Sequence, residues 1–224
     1  NENQVHELLT MEDCIRVMRD LFLIPPQGIE NPLRRLMMMP DRRGLLGMMP
    51  AHIAPWGVMG IKVLTVFPKN YLKGLSSHMG IVHLFDDKDG RLLLSLDADA
   101  VTAVRTAAVS AVMTDQLARE GSSVLALLGS GVQAHTHLAA MRCVRPIRTV
   151  KVWSPNPDRV KAFIRQASVK HDLEYIACEG PQDAVKDADI ICAATAATVI
   201  TRRLPAGAGI DDEGGICETP ELMG

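Results

Sequence analysis

The first 23 residues of the chain carry hydrophobic side chains at helical spacing. Val5, Leu8 and Ile15 fall on one side of a helix drawn through this stretch. Thr10 comes just before the next hydrophobic position, which is typical of a helix cap, so a break and a new helix are expected there. Pro25 and Pro26 cannot donate the amide hydrogen bonds of a helix, so the helix is expected to end before them.

Between residues 33 and 100 the hydrophobic positions form short runs separated by turn residues, which predicts strands. The expected strands are residues 45–49, 58–67, 80–85 and 91–96, with a hairpin turn at residues 86–90. Helical spacing returns over residues 99–119, where Asp99 or Thr102 can cap the first turn. The apolar stripe of this helix comprises Val101, Val104, Ala108, Val112 and Leu117.

From residue 122 onward, short apolar runs alternate with helical segments. Strands are expected at residues 124–128, 149–153, 173–177 and 190–194, and helices at residues 132–143, 157–169 and 181–186. This alternation predicts an α/β fold with a Rossmann-type doubly wound parallel sheet over residues 121–224, preceded by an α+β domain over residues 1–120. The Gly-rich, acidic end of the sequence does not supply further strands, so the second domain is expected to be incomplete.

The composition excludes several classes of function. A hydrophobic content of 47% is enough for a buried core, whereas a net charge of -2 and an aromatic content of 4% argue against a nucleic-acid partner. No apolar run reaches the ~20 residues of a membrane span, and the N-terminus has no signal-peptide pattern, so a cytoplasmic protein without a membrane partner is expected. The five cysteines are scattered, which favours reduced thiols and no metal site.

A glycine motif follows the first strand of the second domain. Gly129 allows a tight turn at the strand end, and Gly131 lets backbone N–H groups approach a diphosphate at the N-terminus of the next helix. Alone the motif is weak, because an ordinary Gly-rich turn has the same letters. The strand, motif, helix and second strand in order favour a nicotinamide dinucleotide as cofactor. The expected contacts are Gly129, Ser130, Gly131, Val132, Gln133 and, at the end of the fourth strand, Thr195.

The end of the second strand of this domain bears on which nicotinamide is bound. An NAD site has an acidic residue there for the ribose hydroxyls, but the sequence reads Trp153-Ser154-Pro155-Asn156. Ser154, Asn156 and Arg159 can instead hold a 2′-phosphate, so NADP is favoured over NAD. The alternative is that Arg159 is an ordinary solvated helix residue.

Several stretches occur together and in a characteristic order along nearly the whole chain. They are NPLR (31–34), MPA (49–51), GIKVLTVFPKN (60–70), SSHMG (76–80), DADAVTAVRTAAVSA (97–111), the glycine motif and ADIICAAT (188–195). In these stretches the chain resembles the ornithine cyclodeaminase/mu-crystallin family. The resemblance implies a substrate-binding and dimerisation domain followed by a Rossmann domain, a homodimer, and a small amino or imino acid as substrate.

The resemblance also assigns candidate substrate residues. Arg34 and Arg105 match the carboxylate-binding arginines of the family, although Arg35 is an alternative to Arg34. Lys62 matches the active-site lysine and lies in an otherwise apolar strand, where a charge is costly unless it is paired or functional. It can polarise the substrate or transfer a proton. The alternative is that Lys62 points outward from the strand.

Several other polar and sulfur-containing residues could belong either to the site or to the surface and core. Ser77 and His78 match positions near the cofactor in the family, and their neighbourhood is closer to ketimine reductases and alanine dehydrogenases than to cyclodeaminases. His135 and His137, which follow the glycine motif, are expected on the helix surface. The methionines at residues 37–39 are expected in the core rather than at a ligand.

The resemblance is weakest at the C-terminus. Family members carry a catalytic aspartate in a Gly-rich stretch, and the comparable residues here are 210–218. The aspartate position aligns near Ile216, with Asp211 and Asp212 close by, and Asp211 is the candidate. This departure puts a cyclodeaminase, which depends on that aspartate, in doubt more than a reductase.

The hypothesis from the sequence is an NAD(P)H-dependent reductase of a cyclic ketimine or α-imino acid of the pyrroline-2-carboxylate type. Arg34 and Arg105 would fix the carboxylate, and Lys62 would polarise the imine or supply a proton. The alternatives are an ornithine cyclodeaminase, an alanine dehydrogenase and, from a different class, a non-enzymatic binding protein like mu-crystallin.

Overall fold

A computed structural model of the protein describes residues 2–194, except for the side chain of Tyr71. The chain divides into two compact units, Asn1–Thr106 and Ala107–Gly224. The division falls inside a helix, whereas the boundary expected at residues 120 and 121 lies after that helix.

Two helices open the first unit, α1 (Glu2–Leu8) and α2 (Met11–Phe22). The expected break at Thr10 is confirmed, because the Thr10 hydroxyl accepts a hydrogen bond from the backbone N–H of Asp13 at 3.1 Å and caps α2. Helix α2 ends before the two prolines, as expected.

The first unit contains a six-stranded antiparallel sheet whose strands differ in length. Its strands are β1 (Ile29–Glu30), β2 (Arg35–Met38), β3 (Leu45–Ile53), β4 (Val58–Val66), β5 (His78–Asp86) and β6 (Leu92–Asp97). They lie in the order β1-β3-β4-β5-β6, and β2 also pairs with β3. The four predicted strands are confirmed, and the short strands β1 and β2 were not predicted.

The two faces of this sheet differ because side chains alternate along each strand. Lys62 and Leu64 lie on one face, and Leu64 is buried. The opposite face carries exposed apolar side chains, among them Met59, Met79 and Ile81. The expectation that the methionine run is core is wrong for Met37 and Met38, which are each 52% exposed because β2 lies at the periphery of the sheet.

Helix α3 (Ala98–Leu117) follows β6 directly. Its N-terminus is capped by Asp97, whose Oδ1 accepts hydrogen bonds from the N–H groups of Asp99 at 3.0 Å and Ala100 at 2.9 Å. The expected cap at Asp99 or Thr102 is therefore wrong, because the carboxylate just before the helix reaches these N–H groups first. The Thr102 hydroxyl instead donates to the Ala98 carbonyl at 2.5 Å.

The second unit is a parallel sheet with helical crossovers. Its elements are β7 (Val124–Leu128), α4 (Val132–Val144), β8 (Thr149–Trp153), α5 (Pro157–Lys170), β9 (Glu174–Ala177), α6 (Pro181–Val185) and β10 (Ile190–Ala193). The strand order is β10-β7-β8-β9, with every pairing parallel. The α/β, Rossmann-type prediction is confirmed. The strand order changes direction between β7 and β10, which is where ligands bind in such sheets.

Strand β7 forms the centre of this unit. Leu125, Ala126, Leu127 and Leu128 are all fully buried, so both faces of the strand are covered, as is usual for parallel sheets. No helix within residues 2–194 combines the length and the apolar character needed to cross a membrane.

His137 corrects another expectation, since it was predicted on the surface of α4. The residue is only 8% exposed, because it lies three positions after Ala134 and four before Met141 on the buried side of the helix. His135 is partly buried and stacks on Phe163, with ring centroids 4.3 Å apart.

Candidate active site

Lys62 is held against helix α3. It lies in the middle of β4, where it pairs with Met49 and Val82, and its Nζ donates to Thr102 Oγ1 at 2.5 Å. The structure therefore does not support the alternative of an outward-facing lysine. Because a protonated lysine has three donors and no acceptor, this bond fixes the side chain while leaving N–H donors for a ligand.

One side of α3 presents three polar residues near Lys62. Asp99, Thr102 and Arg105 are three positions apart, so they lie along the same side of the helix. The pKa of Lys62 is lowered from its ordinary value, first by burial and then by the positive charge of Arg105, while the negative charge of Asp99 raises it. The lysine is therefore easier to deprotonate than a free lysine.

The structure distinguishes the two adjacent arginines of the sequence. The pKa of Arg105 is lowered first by burial and then by the positive charge of Arg34, so these two guanidinium groups lie within electrostatic reach of each other. Arg35 pairs with Met48, whereas Lys62 pairs with the next residue, Met49. Because adjacent residues of a strand point to opposite faces, the Arg35 side chain lies on the sheet face opposite Lys62. Arg34, rather than Arg35, is brought to the same electrostatic cluster as Arg105.

The segment from Ser76 to His78, where β5 begins, contacts α3 through Ser76. The Ser76 hydroxyl lies 2.8 Å from Asp99 Oδ2 and 2.6 Å from the His78 carbonyl oxygen, and it accepts a hydrogen bond from the His78 N–H. Ser77 Oγ lies 3.0 Å from His78 Nδ1. Ser76 therefore ties the predicted pair Ser77 and His78 to Asp99.

The cluster in the first unit can bind an anion and move a proton. Arg34 and Arg105 suit a carboxylate, because a guanidinium group donates two parallel hydrogen bonds. Lys62 supplies a donor whose pKa is lowered. The sequence analysis gave Asp99 and Thr102 only a helix-capping role and gave Ser76 no role. The three-residue spacing of Asp99, Thr102 and Arg105 on a predicted helix is the signal that could have singled out the first two.

The turn after β7 has the form expected for a dinucleotide. Gly129 has φ +132°, a conformation that disfavours side chains, and its N–H donates to the Trp153 carbonyl at 2.7 Å. Gly131 is the N-cap residue just before the 13-residue helix α4, which has no side-chain cap. A Cβ placed on Gly131 would meet nothing within 4 Å. Open space beside uncapped N–H groups is what an approaching diphosphate needs.

Gln133 adds a polar atom to this turn. Its side-chain Oε1 is buried and has no hydrogen-bond partner within the part of the chain that the structure describes. Val132, in contrast, is 68% exposed at the first helical position. An acceptor left buried without a donor is costly unless a ligand supplies the donor. The residues of this turn therefore fit a bound dinucleotide.

The end of β8 borders a cavity of about 490 Å³. Ser154 lines it together with Lys161 and Glu179. The Asn156 Oδ1 accepts hydrogen bonds from the N–H groups of Asp158 at 3.0 Å and Arg159 at 3.3 Å, so this side chain caps α5. Lys161 is a cation at this cavity that the sequence did not single out.

Two predicted site residues, Thr195 and Asp211, lie outside the residues that the structure describes. Within residues 2–194, no group of three or more His, Cys, Asp or Glu side chains is placed to hold a metal ion.

Comparison with known proteins gives several relatives. The ketimine reductase mu-crystallin of Rattus norvegicus is 36% identical over 174 residues, which is 78% of this chain and 54% of the relative. A Delta(1)-pyrroline-2-carboxylate reductase of Bacillus cereus is 31% identical over 168 residues, 75% of this chain and 52% of the relative. The chain thus spans about half the length of the curated relatives it matches.

Solved structures of proteins with similar activities in their names also match the fold of this chain. The Delta(1)-pyrroline-2-carboxylate reductase of Thermococcus litoralis, in complex with NADH and L-proline, matches with a TM-score of 0.81 and 31% identity over 88% of this chain and 61% of that chain. An archaeal alanine dehydrogenase dimer with bound NAD matches with a TM-score of 0.80 and 26% identity over 88% and 59%. The family model described as "Ornithine cyclodeaminase/mu-crystallin family" matches residues 1–214. The chain belongs to the ornithine cyclodeaminase/mu-crystallin family.

Proposed function

We propose that this chain belongs to an NAD(P)H-dependent reductase that converts a cyclic ketimine or α-imino acid, of the pyrroline-2-carboxylate type, into the amino acid. The observation that carries the proposal is the position of Lys62, anchored on Thr102 beside the cation Arg105. A small substrate with a carboxylate and an imine nitrogen fits this arrangement of donors. The relatives include reductases of this substrate class.

Substrate binding rests on the two arginines. The pKa of Arg105 is lowered first by burial and then by the positive charge of Arg34, so the two guanidinium groups repel each other in the free protein. A carboxylate placed between them removes that repulsion and accepts up to two hydrogen bonds from each guanidinium group. Part of the Arg105 side chain stays exposed, so a ligand can reach it although neighbouring groups crowd its guanidinium.

The proton comes from Lys62. Its ammonium group donates a hydrogen bond to the imine nitrogen and transfers the proton as that nitrogen becomes an amine. When bound, a reduced nicotinamide would be the source of the hydride that the imine carbon accepts. The lowered pKa of Lys62 favours this transfer, because the proton leaves more readily than from an ordinary lysine.

The Gly129 turn and Gln133 would hold the dinucleotide, and we propose that this dinucleotide is NADP rather than NAD. Three solved relatives contain NADH, NAD or NAD+. In this chain Ser154 stands where an NAD site has an acid. Helix α5 carries two exposed cations, Lys161, which lines the same cavity as Ser154, and Arg159, two positions before it. Titration of the protein with NADPH and NADH tests this choice. The double variant Arg159→Glu and Lys161→Glu should weaken the binding of NADPH more than the binding of NADH.

A second copy of the chain is proposed to cover the exposed sheet face of the first unit. Met59, Met79 and Ile81, all on that face, are 37%, 41% and 38% exposed. Contiguous apolar surface of this kind marks an interaction site, and one structural relative is a dimer. Light scattering should give twice the monomer mass, and Ile81→Glu should give the monomer. A monomeric parent protein contradicts the proposal.

The activity test is the consumption of NADPH or NADH with pyrroline-2-carboxylate, with piperideine-2-carboxylate, and with pyruvate plus ammonia. Lys62→Met should lower kcat/KM by about 100-fold or more, the usual contribution of a positioned proton donor. Lys69→Met, which changes an exposed lysine of the same unit, is the matched control. Turnover with none of these substrates refutes the reductase. Release of ammonia from ornithine with catalytic NAD would identify a cyclodeaminase instead, and cofactor binding without any turnover would identify a binding protein.

A further inference from the structure

His137 makes two directional contacts inside the second unit. Its Nδ1 lies 2.7 Å from the main-chain carbonyl oxygen of Gln133, and its Nε2 lies 3.1 Å from Ser110 Oγ. The imidazole is almost fully buried. Gln133 is the second residue of α4, so the contact reaches the first turn of the helix that follows the glycine motif.

These contacts fix the tautomer of the ring. A carbonyl oxygen only accepts hydrogen bonds, so Nδ1 must carry a hydrogen and donate it to Gln133. In a neutral imidazole Nε2 then accepts, and the Ser110 hydroxyl donates to it. Burial lowers the pKa of His137, which agrees with the neutral form.

Gln133 is therefore bound through its main chain, while its side-chain oxygen is left for a ligand. Its main-chain carbonyl is bound by His137, whereas its side-chain Oε1 is buried without a partner within residues 2–194. The same turn contains the uncapped N-terminus of α4 and the open space at Gly131. A hydrogen bond to the Gln133 carbonyl orders the part of the turn that the cofactor would contact.

We propose that His137 is a positioning residue for the cofactor: its Nδ1–H, supported by Ser110, fixes the first turn of α4 so that Gln133 and the neighbouring N–H groups meet the bound dinucleotide. This inference rests on the proposed function, because it assumes that the turn binds a nicotinamide dinucleotide. The residue acts through Gln133 and does not itself touch the cofactor. Ordering the turn before binding strengthens binding because less conformational freedom is lost.

Three variants separate positioning from simple packing. His137→Asn places an amide N–H close to the position of Nδ1, His137→Gln places one close to the position of Nε2, and His137→Leu fills the space with neither. Met141→Ala is the matched control, since Met141 is fully buried on the same helix but one turn further from the glycine motif. The dissociation constants of NADH and NADPH are measured by fluorescence titration, and the melting temperature without cofactor is measured in parallel.

His137→Leu and His137→Gln should raise the dissociation constant about tenfold, the loss expected for one hydrogen bond that orders the site. His137→Asn should stay within about threefold of the parent. Met141→Ala should lower the melting temperature while leaving the dissociation constant unchanged. The proposal is overturned if His137→Leu binds as tightly as the parent, or if the dissociation constants of all four variants simply follow their melting temperatures.

A readout without cofactor separates this inference from the proposed function. Long-range ¹H–¹⁵N NMR should show the Nδ1–H tautomer of His137 in the free protein. Amide exchange at Ala134 and His135, whose N–H groups donate to the Gly131 carbonyl, should be faster in His137→Leu than in the parent. An Nε2–H tautomer, or unchanged exchange, overturns the positioning role. A parent protein that binds neither nicotinamide while showing the expected tautomer and exchange refutes the proposed cofactor instead.

Discussion

Replacing Arg145 with methionine should remove about 3–5 kcal/mol from the free energy of unfolding of the second unit. The Arg145 side chain is only 6% exposed and forms an ion pair with Asp115 at 2.8 Å. Its guanidinium group also donates to main-chain carbonyls at and just after the C-terminal end of α3 and at the C-terminal end of α4. These acceptors belong to Thr114, Asp115, Ala118, Arg119 and Val144.

The magnitude follows from what each acceptor loses. The carbonyls of Thr114 and Arg119 keep other donors, the N–H groups of Ala118 and Ser122. The carbonyls of Ala118 and Val144 lose a guanidinium donor in partly buried surroundings, and each such loss costs about 1–3 kcal/mol, or about 2–6 kcal/mol for the two. The Asp115 side chain is 30% exposed and regains water, so the total stays close to the range of about 3–5 kcal/mol for breaking a buried ion pair.

Tryptophan fluorescence can report on the second unit alone. Trp56 and Trp153 are the two tryptophans of the chain, so in a Trp56→Phe background only Trp153 contributes. Trp153 packs against the buried cluster of Leu128 and Ala184, and unfolding will change its emission. Urea titration then gives the free energy of unfolding of parent and variants in that background.

Arg119→Met is the control for this experiment. The main-chain carbonyl of Arg119 accepts a hydrogen bond from Arg145 Nε at 3.0 Å, and the Arg119 side chain pairs with Asp189 at 2.8 Å. That side chain is 81% exposed, so its loss should cost less than about 1 kcal/mol. Arg145→Lys should fall between the two, because an ammonium group keeps the charge but has three donors instead of a guanidinium fork. Equal and small losses for Arg145→Met and Arg119→Met would refute the structural role of the buried guanidinium.

Three further predictions follow from the two units. In the pH–rate profile, activity should fall at a pH below the ordinary lysine pKa of about 10.4, because Lys62 has a lowered pKa and loses its proton as pH rises. Asp99→Asn removes the negative charge that raises this pKa, so the fall in activity should move to lower pH. A move to higher pH contradicts the assignment. Gly131→Ala should leave stability unchanged but weaken NADH binding at least about tenfold, because the new methyl group occupies the cofactor's space; Gly129→Ala should instead destabilise the fold by about 1–3 kcal/mol. Burial raises the pKa of the Cys192 thiol to about 12, so iodoacetamide at pH 8 should label it in urea but not in the native protein, as peptide mass spectrometry can check.

The second unit could be predicted well from the sequence because local signals and burial agree there. Strand β7 is a continuous apolar run followed by glycines, and all of its central residues are buried. The failures came where long-range packing decides exposure. Met37 and Met38 are as hydrophobic as core residues, yet they lie in a peripheral strand. His137 is polar, yet its place on α4 buries it.

The candidate site was predicted in part for a related reason. Lys62 is recognisable because a charge in an apolar strand is costly. The choice between Arg34 and Arg35 needs the start and register of β2, which begins at Arg35 and places that side chain on the sheet face opposite Lys62. That register comes from the pairing of β2 with β3, and β2 was too short to be recognised.

Gly80 shows how the sheet keeps Lys62 in place. This residue pairs with Leu64 on β4, two positions from Lys62 and on the same face. A Cβ on Gly80 would collide with the Val63 carbonyl oxygen and come within 2.7 Å of the Leu64 Cα. Since backbone cannot move aside as a flexible side chain does, any other residue at Gly80 would force β4 and β5 apart. The bond from Lys62 to Thr102, at 2.5 Å, depends on the position of β4 against α3. The glycine of the SSHMG stretch therefore supports the lysine without touching it.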